Sequence, residues 1–366
     1  MLKKAAALFL VCASIALWVG CTTTSSRYLY AAIPESSEII AYREDPNSGV
    51  LTPLTVSPIL AGEEVQSLVI HPTKPYLYAA NPGATPLGNI SFFKISSSGV
   101  ITEQGSRINA GSVPSILAMD AAGAYLYVGN SGSEDISVFS IDSGTGMLSL
   151  VQQVSGTTAP IGLIPSNMQL SPSGNFLYVT GEGSNTGYIE GFPVSNGVLG
   201  TPVQGSPFQT GNNPFGLAIN SSGTFLYTAN KRDSTISEFA INADGSLKPL
   251  PNSPIGESYS APVSLLVDKT GKYLYVANQG STNLSAYNIE SDGGLDLLAS
   301  SPFATATNPS FIAGDVSGRF LFVANQGGST SVESFALDPT TGTLTEVQTY
   351  AIAGGTATSI AITPTQ

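Results

Sequence analysis

A Leu-(Tyr/Phe) pair recurs seven times along the chain, at Leu29-Tyr30, Leu77-Tyr78, Leu126-Tyr127, Leu177-Tyr178, Leu226-Tyr227, Leu274-Tyr275 and Leu321-Phe322. The separations are 48, 49, 51, 49, 48 and 47 residues, and so even a period marks a repeat architecture. Within each unit one grammar returns: a short apolar strand, a turn ending in Gly, a strand such as Leu-Tyr-Val-Ala-Asn, a polar turn, then two further strands. In the third unit the strands are predicted over 115–119, 124–129, 136–141 and 148–153. Ala121-Ala122-Gly123 joins the first two and Ser143-Gly144-Thr145-Gly146 the last two, with Gly supplying the positive φ that tight hairpins need.

Strands such as Tyr125 to Val128 are apolar on both faces, which requires cover on both sides of the sheet. Four-stranded units that cannot bury their faces alone pack against one another, either radially or as a stack. The chain ends decide between these. The first unit starts directly at Arg27 to Ala32 with no inner strand before it, and Thr356 to Pro364 reads as an inner strand with no unit of its own. The C-terminal strand therefore completes the first blade and removes the edges an open stack would expose. The expected fold is all-β, a seven-bladed β-propeller of four-stranded antiparallel blades, forming one domain over residues 27–366. Only 10% of residues are charged, while Gly reaches 39 and Pro 24, a composition of short strands and tight turns.

The amino terminus has the parts of an export signal over residues 1–20: Lys3 and Lys4, an apolar run from Ala5 to Val19, then Gly20. Leu17-Trp18-Val19-Gly20-Cys21 resembles the lipobox of bacterial lipoproteins, with Trp18 where that motif carries Leu. The resemblance implies lipidation at Cys21, a membrane anchor there, and residues 21–26 as a short tether. Cys12 leaves with the signal, so Cys21 has no thiol partner and a disulfide is not expected. The expected location is the cell envelope, periplasmic or on the outer membrane. The formal charge of −12 becomes −14 once Lys3 and Lys4 are removed, which opposes binding to phosphate backbones, so nucleic acid is not an expected partner. A monomer is expected.

The Leu-Tyr-Val-Ala-Asn, Leu-Tyr-Val-Gly-Asn and Leu-Tyr-Val-Thr-Gly strands look like YVTN-type propeller repeats. Over nearly the whole mature chain the pattern resembles the lactonase family of seven-bladed propellers, which includes bacterial 6-phosphogluconolactonase and the carboxymuconate cyclases. The resemblance implies a site at the mouth of the central channel built from His, Arg and Glu. The matching places here carry other residues. Ile164-Pro165-Ser166 stands for His-Pro-His, Pro214-Phe215-Gly216 for Pro-Arg-His, Asn230-Lys231 for Asn-Glu, Asn278-Gln279-Gly280 for Asn-Arg-Gly, and Pro309-Ser310 for Pro-Arg; Asn325-Gln326 retains the family's text. The expected binding positions at the mouth are thus Ser166, Phe215, Lys231, Gln279, Ser310 and Gln326, with no catalytic residue assigned.

Opening a lactone with water needs a base and a cationic or hydrogen-bonding group for the oxyanion, and no such set is evident at these places. His71, the sole histidine, lies in a turn between first and second strands and reads as structural. Lys231-Arg232 is the one adjacent basic pair of the mature chain and reads as a solvated turn. Asp45, Asp142 and Asp338 open hairpin turns and read as turn formers rather than calcium ligands. The strand aromatics read as core between blades. No metal and no cofactor is expected. Two functions follow: an exported binding or scaffold propeller for a protein, glycan or small molecule, or a lactone hydrolase of the 6-phosphogluconolactonase type at the channel mouth.

Overall fold

The computed structural model describes residues 26–364 apart from 84–86, 155–163, 183–185, 257, 328–329 and 352–354, and the side chains of 330 and 331. The expected export signal, Cys21 and all of the expected tether but Ser26 lie outside the described residues.

The described chain forms seven antiparallel sheets, each with a four-strand path. In the third blade the strands are Pro114–Met119, Tyr125–Asn130, Asp135–Ile141 and Leu148–Val154, within two residues of the sequence-based bounds. Five sheets carry a further short strand beside the third, such as Ile59–Leu60 beside Glu38–Glu44. The innermost strands contact one another in ring order around a central channel: Ser67–Ile70, Pro114–Met119, Ile164–Leu170, Pro214–Ile219, Pro262–Val267, Pro309–Gly314 and Ser359–Ile362. The last of these pairs with Arg27–Ile33, in the register Leu29↔Ile362 to Ala32↔Ser359, so the C-terminal strand does complete the first blade.

The recurring aromatic does two jobs. Tyr30, Tyr78, Tyr127, Tyr178, Tyr227, Tyr275 and Phe322 are fully buried between blades. The first six also donate their hydroxyls to a glycine carbonyl in the outer hairpin of the next blade: Gly99 (2.8 Å), Gly146 (2.7 Å), Gly197 (3.2 Å), Gly245 (2.9 Å), Gly293 (2.8 Å) and Gly342 (2.8 Å). Buried tyrosines keep such partners because an unpaired hydroxyl in the core is costly. The seventh interface has Phe322 and so lacks this bond. There Arg27, buried, donates to Glu44 at 3.2 Å and pairs with Asp315 of the last blade.

Neighbouring inner strands share no ladder, and side chains stitch them instead. Ser359 Oγ accepts from Leu68 N at 3.2 Å, Ser67 Oγ from Leu117 N at 3.2 Å, and Ser264 Oγ from Ile312 N at 3.1 Å.

Each inner strand ends on a side chain that accepts from backbone N–H groups, of the following turn at His71 and of the opening of the second strand at the other six. His71 Nδ1 accepts from Thr73 N and Lys74 N (both 3.1 Å), Asp120 from Tyr125 N (2.7 Å), Ser171 from Phe176 N (3.1 Å) and Asn220 from Phe225 N (2.9 Å). Asp268 accepts from Tyr273 N (2.8 Å), Asp315 from Phe320 N (2.9 Å) and Thr363 from Tyr28 N (2.9 Å). Five residue types thus serve one turn, and the structural reading of His71 holds. Burial pushes its pKa down, consistent with a neutral ring that accepts at Nδ1. Asp45, Asp142 and Asp338 likewise accept from turn backbone at Asn47, Gly144 and Thr340.

Candidate functional site at the channel mouth

At the opposite end, the start of each inner strand, the ladder slips. In the third to seventh blades a β-bulge leaves Ser115, Ser166, Phe215, Val263 and Ser310 unpaired, each directly after a proline. Residues ahead of four of these prolines, Val113, Asn213, Ala261 and Asn308, hold φ between 53° and 56°. Pro fixes its own φ and withholds an N–H, while the positive φ before it turns the chain. A bulge set this way re-aims one side chain out of the pleat, here into the channel. Gln66 and Thr358 occupy the equivalent place in the second and first blades.

These bulges and the turns after the second strands enclose a cavity of about 620 Å³. All six positions expected from the sequence line it: Ser166, Phe215 and Ser310 from the bulges, Lys231, Gln279 and Gln326 from the turns. The turns are held by the repeated Asn. Asn230 Nδ2, for example, donates to Thr235 Oγ1 and Ser237 Oγ, both at 2.9 Å.

The six do not face equal prospects. Ser310 Oγ lies 3.1 Å from the Ala324 carbonyl and 3.0 Å from that of Ala357, two residues ahead of the next inner strand. Ser166 Oγ meets Thr180 Oγ1 at 3.1 Å and bonds the Pro214 carbonyl of the next blade. Both hydroxyls are engaged in stitching blades together. Gln279 Nε2 donates to Gln326 Oε1 at 3.1 Å, which leaves the Gln279 carbonyl and the Gln326 amino group for other partners. Lys231 Nζ sits 5.2 Å from the centroid of the Phe215 ring, and burial pushes its pKa down by stripping water from the ammonium. The solvated-turn reading fits Arg232, 68% exposed at its side chain, but not its neighbour.

Glu182 was not among the expected positions. It ends the second strand of the fourth blade, lines the cavity and stands 3.9 Å from Arg232. It falls in register with Ser131, Lys231, Gln279 and Gln326, the residues after the repeated Asn, but Gly181 replaces that Asn and hides the register. Among the described residues of the lining, Glu182 and Lys231 are the only charged ones. His71 belongs to the far end of its strand. Among the described residues there is no group of three His, Cys, Asp or Glu able to hold a metal.

A carboxylate, a partly desolvated ammonium, an exposed aromatic face and neutral amides around one cavity suit a small, hydroxyl-rich ligand with one electron-rich centre.

Comparison with known proteins gives this cavity a context. A family model described as "Lactonase, 7-bladed beta-propeller" matches residues 21–164, 110–207, 165–309 and 251–362. The chain is 24% identical to 6-phosphogluconolactonase of Serratia proteamaculans over 217 residues, which are 59% of this chain and 62% of that protein. It thus spans about six-tenths of that relative's length. Against 6-phosphogluconolactonase of Erwinia tasmaniensis it is 26% identical over 234 residues, 63% of this chain and 67% of the other. Among solved structures, the periplasmic gluconolactonase of Pseudomonas aeruginosa superimposes with a TM-score of 0.73 at 21% identity, covering 93% of this chain and 99% of that one. A Lactobacillus plantarum protein does so with a TM-score of 0.77 at 22% identity, covering 92% and 99%.

Proposed function

The chain belongs to the lactonase family of seven-bladed β-propellers, and we propose that its channel mouth binds and hydrolyses a sugar lactone that carries no phosphate. The observation that carries the reading is the lining itself: one carboxylate and one ammonium around a 620 Å³ cavity at the mouth. Phosphate is recognised most strongly by guanidinium forks and ammonium groups, and among the described residues of the lining Lys231 is the one cation, with no guanidinium beside it. A gluconolactone-like ring, the ligand class named for the Pseudomonas aeruginosa relative, fits the charge count better than its phosphate ester.

In this reading Glu182 takes a proton from water as the water oxygen attacks the lactone carbonyl carbon. Lys231 faces the oxyanion that develops there, in a site where partial burial strengthens the interaction. The ring C–O bond then breaks, and the proton held by Glu182 passes to the departing ring oxygen. The product is the open hydroxy acid. Gln279 and Gln326 hold the hydroxyls. The proposal includes a location in the cell envelope, supported by the export-signal pattern of residues 1–20 and the lipobox-like Leu17-Trp18-Val19-Gly20-Cys21.

A second reading has the mouth bind such a ligand without turnover, as an envelope binding or scaffold protein. It is favoured by the absence of imidazole and guanidinium among the described residues of the lining. The two are separated by following hydrolysis of glucono-1,5-lactone and its 6-phosphate against the spontaneous rates. Hydrolase action predicts turnover of the unphosphorylated lactone, with Lys231→Met and Glu182→Gln each lowering kcat/KM by about a hundredfold. A wild-type rate equal to the spontaneous one leaves the binding reading standing.

A further inference from the structure

We infer that Phe215 is the specificity determinant of the mouth, a stacking platform that selects a six-membered sugar ring and presents its polar edge to Lys231. The inference rests on the mouth being the ligand site, and it adds the shape of the ligand.

Seven equivalent positions ring the mouth, five of them at bulges, and the six besides Phe215 carry Gln66, Ser115, Ser166, Val263, Ser310 and Thr358. Phe215 alone is aromatic. It is 39% exposed, whereas the seven repeated Leu-Tyr/Phe aromatics are fully buried. It belongs to none of the core clusters, while Phe311, the other aromatic in the lining, packs on the core formed with the first blade. An aromatic side chain turned toward solvent forgoes the burial that normally justifies it, so its place is explained by what it offers the cavity.

The backbone holds it there. Asn213 at φ 55° and Pro214 set the bulge, and Gly216 follows, where a Cβ would come 2.9 Å from the Val263 carbonyl. The inner strand of the fifth blade therefore lies close against that of the sixth, and residue 215 is turned out toward the channel. Lys231 over the ring fixes an electropositive group beside an apolar face. A pyranose or a δ-lactone matches that pair: its C–H face is apolar and planar enough to stack, and its oxygens project at the rim, toward the ammonium and the polar lining that includes Gln279 and Gln326. An acyclic polyol has the same hydroxyls and no such face.

Two measurements test this. In hydrolysis of glucono-1,5-lactone, Phe215→Ala and Phe215→Leu should each raise KM about tenfold with kcat within about threefold, while Phe215→Tyr stays near wild type. Leu keeps apolar bulk and loses the flat face, so the pair separates stacking from simple burial. Wild-type KM values in both would overturn the proposal.

The second measurement needs no turnover. Trp18 is the only tryptophan of the sequence, so a full-length chain carrying Trp18→Phe and Phe215→Trp has a single indole, at the mouth. Its emission should shift with D-glucose, a stable pyranose, and not with sorbitol. That result with no lactone hydrolysis would sink the hydrolase reading and sustain the platform. Equal responses to glucose and sorbitol, or none to either, would overturn the platform even if hydrolysis is observed.

Discussion

The two ends of the seven inner strands are built on opposite principles. At the far end His71, Asp120, Ser171, Asn220, Asp268, Asp315 and Thr363 differ in name and agree in function, each accepting a backbone N–H, His71 from the turn and the other six from the strand that follows. At the mouth the backbone repeats, with bulge, proline and positive φ recurring, and the side chains diverge from Ser to Val to Phe. Where the repeat must hold the blade together, chemistry is conserved across the ring while identity drifts. Where it frames a cavity, the scaffold is constant and the chemistry is free to change. Ser166 and Ser310 show the border between the two, since they sit at mouth positions and still serve as stitches.

The largest effect is expected from removing both ends of one inner strand at once. Deleting 355–366 takes away the strand paired with Arg27–Ile33, along with Thr363 and Thr358. It exposes a sheet edge and the core around Leu29, Ala31 and Ile33. Thermal unfolding followed by circular dichroism should lose cooperativity or drop by roughly 10 °C or more. An unchanged midpoint would mean that the ring does not depend on its last strand.

Next comes a contrast between the ends. Asp268 accepts from Thr270 N, Lys272 N and Tyr273 N, each at 2.8 Å. Asp268→Ala should cost about 2–3 kcal/mol in denaturant unfolding, because buried donors are left unpaired, and should leave ligand affinity at the mouth alone. Lys231→Met should do the reverse, abolishing ligand response within about 0.5 kcal/mol of wild-type stability. Coupled losses in either variant would break the separation.

Acidity offers a third, smaller test. Burial raises Glu44, Glu190 and Glu238 to about 7. Their folded pKa values exceed the unfolded ones, so they favour the fold below about pH 4.5 and lose that contribution as pH rises to about 7. Asp142, Asp244 and Asp338 are shifted down by turn hydrogen bonds, and their contribution disappears only below the ordinary aspartate range. The melting temperature should therefore be higher at pH 5 than at pH 8, and Glu190→Gln should reduce that difference. A melting temperature that climbs from pH 5 to pH 8 would contradict the assignment.

The smallest effect is expected at His71. His71→Asn keeps a side-chain acceptor of the kind Asn220 supplies and should cost about half as much as His71→Ala, itself about 1–2 kcal/mol. Lactone hydrolysis should be the same in both variants. A change there would tie the far end to the site after all.

Much of this is legible in the amino-acid sequence. The spacing of the Leu-Tyr pairs gives the number of blades, and the lone strand at each chain end gives the closure, because strand period and hairpin turns are written in local sequence. The six mouth positions followed from family text, and the structure gathers them around one cavity. Glu182 did not follow, since Gly181 breaks the Asn register that would have aligned it. The engagement of Ser166 and Ser310 was also hidden, because their partners, Pro214 and Ala357, lie 48 and 47 residues away. Lys231 looked like half of a solvated pair because its burial and its contact with the Phe215 ring arise across strands. What the sequence by itself determined is a seven-unit ring closed by its own C-terminal strand, since periodicity and turn chemistry act between near neighbours. Which mouth residues are free to meet a ligand was decided only when the blades came together, because desolvation and cross-strand hydrogen bonds depend on distances that no linear spacing encodes.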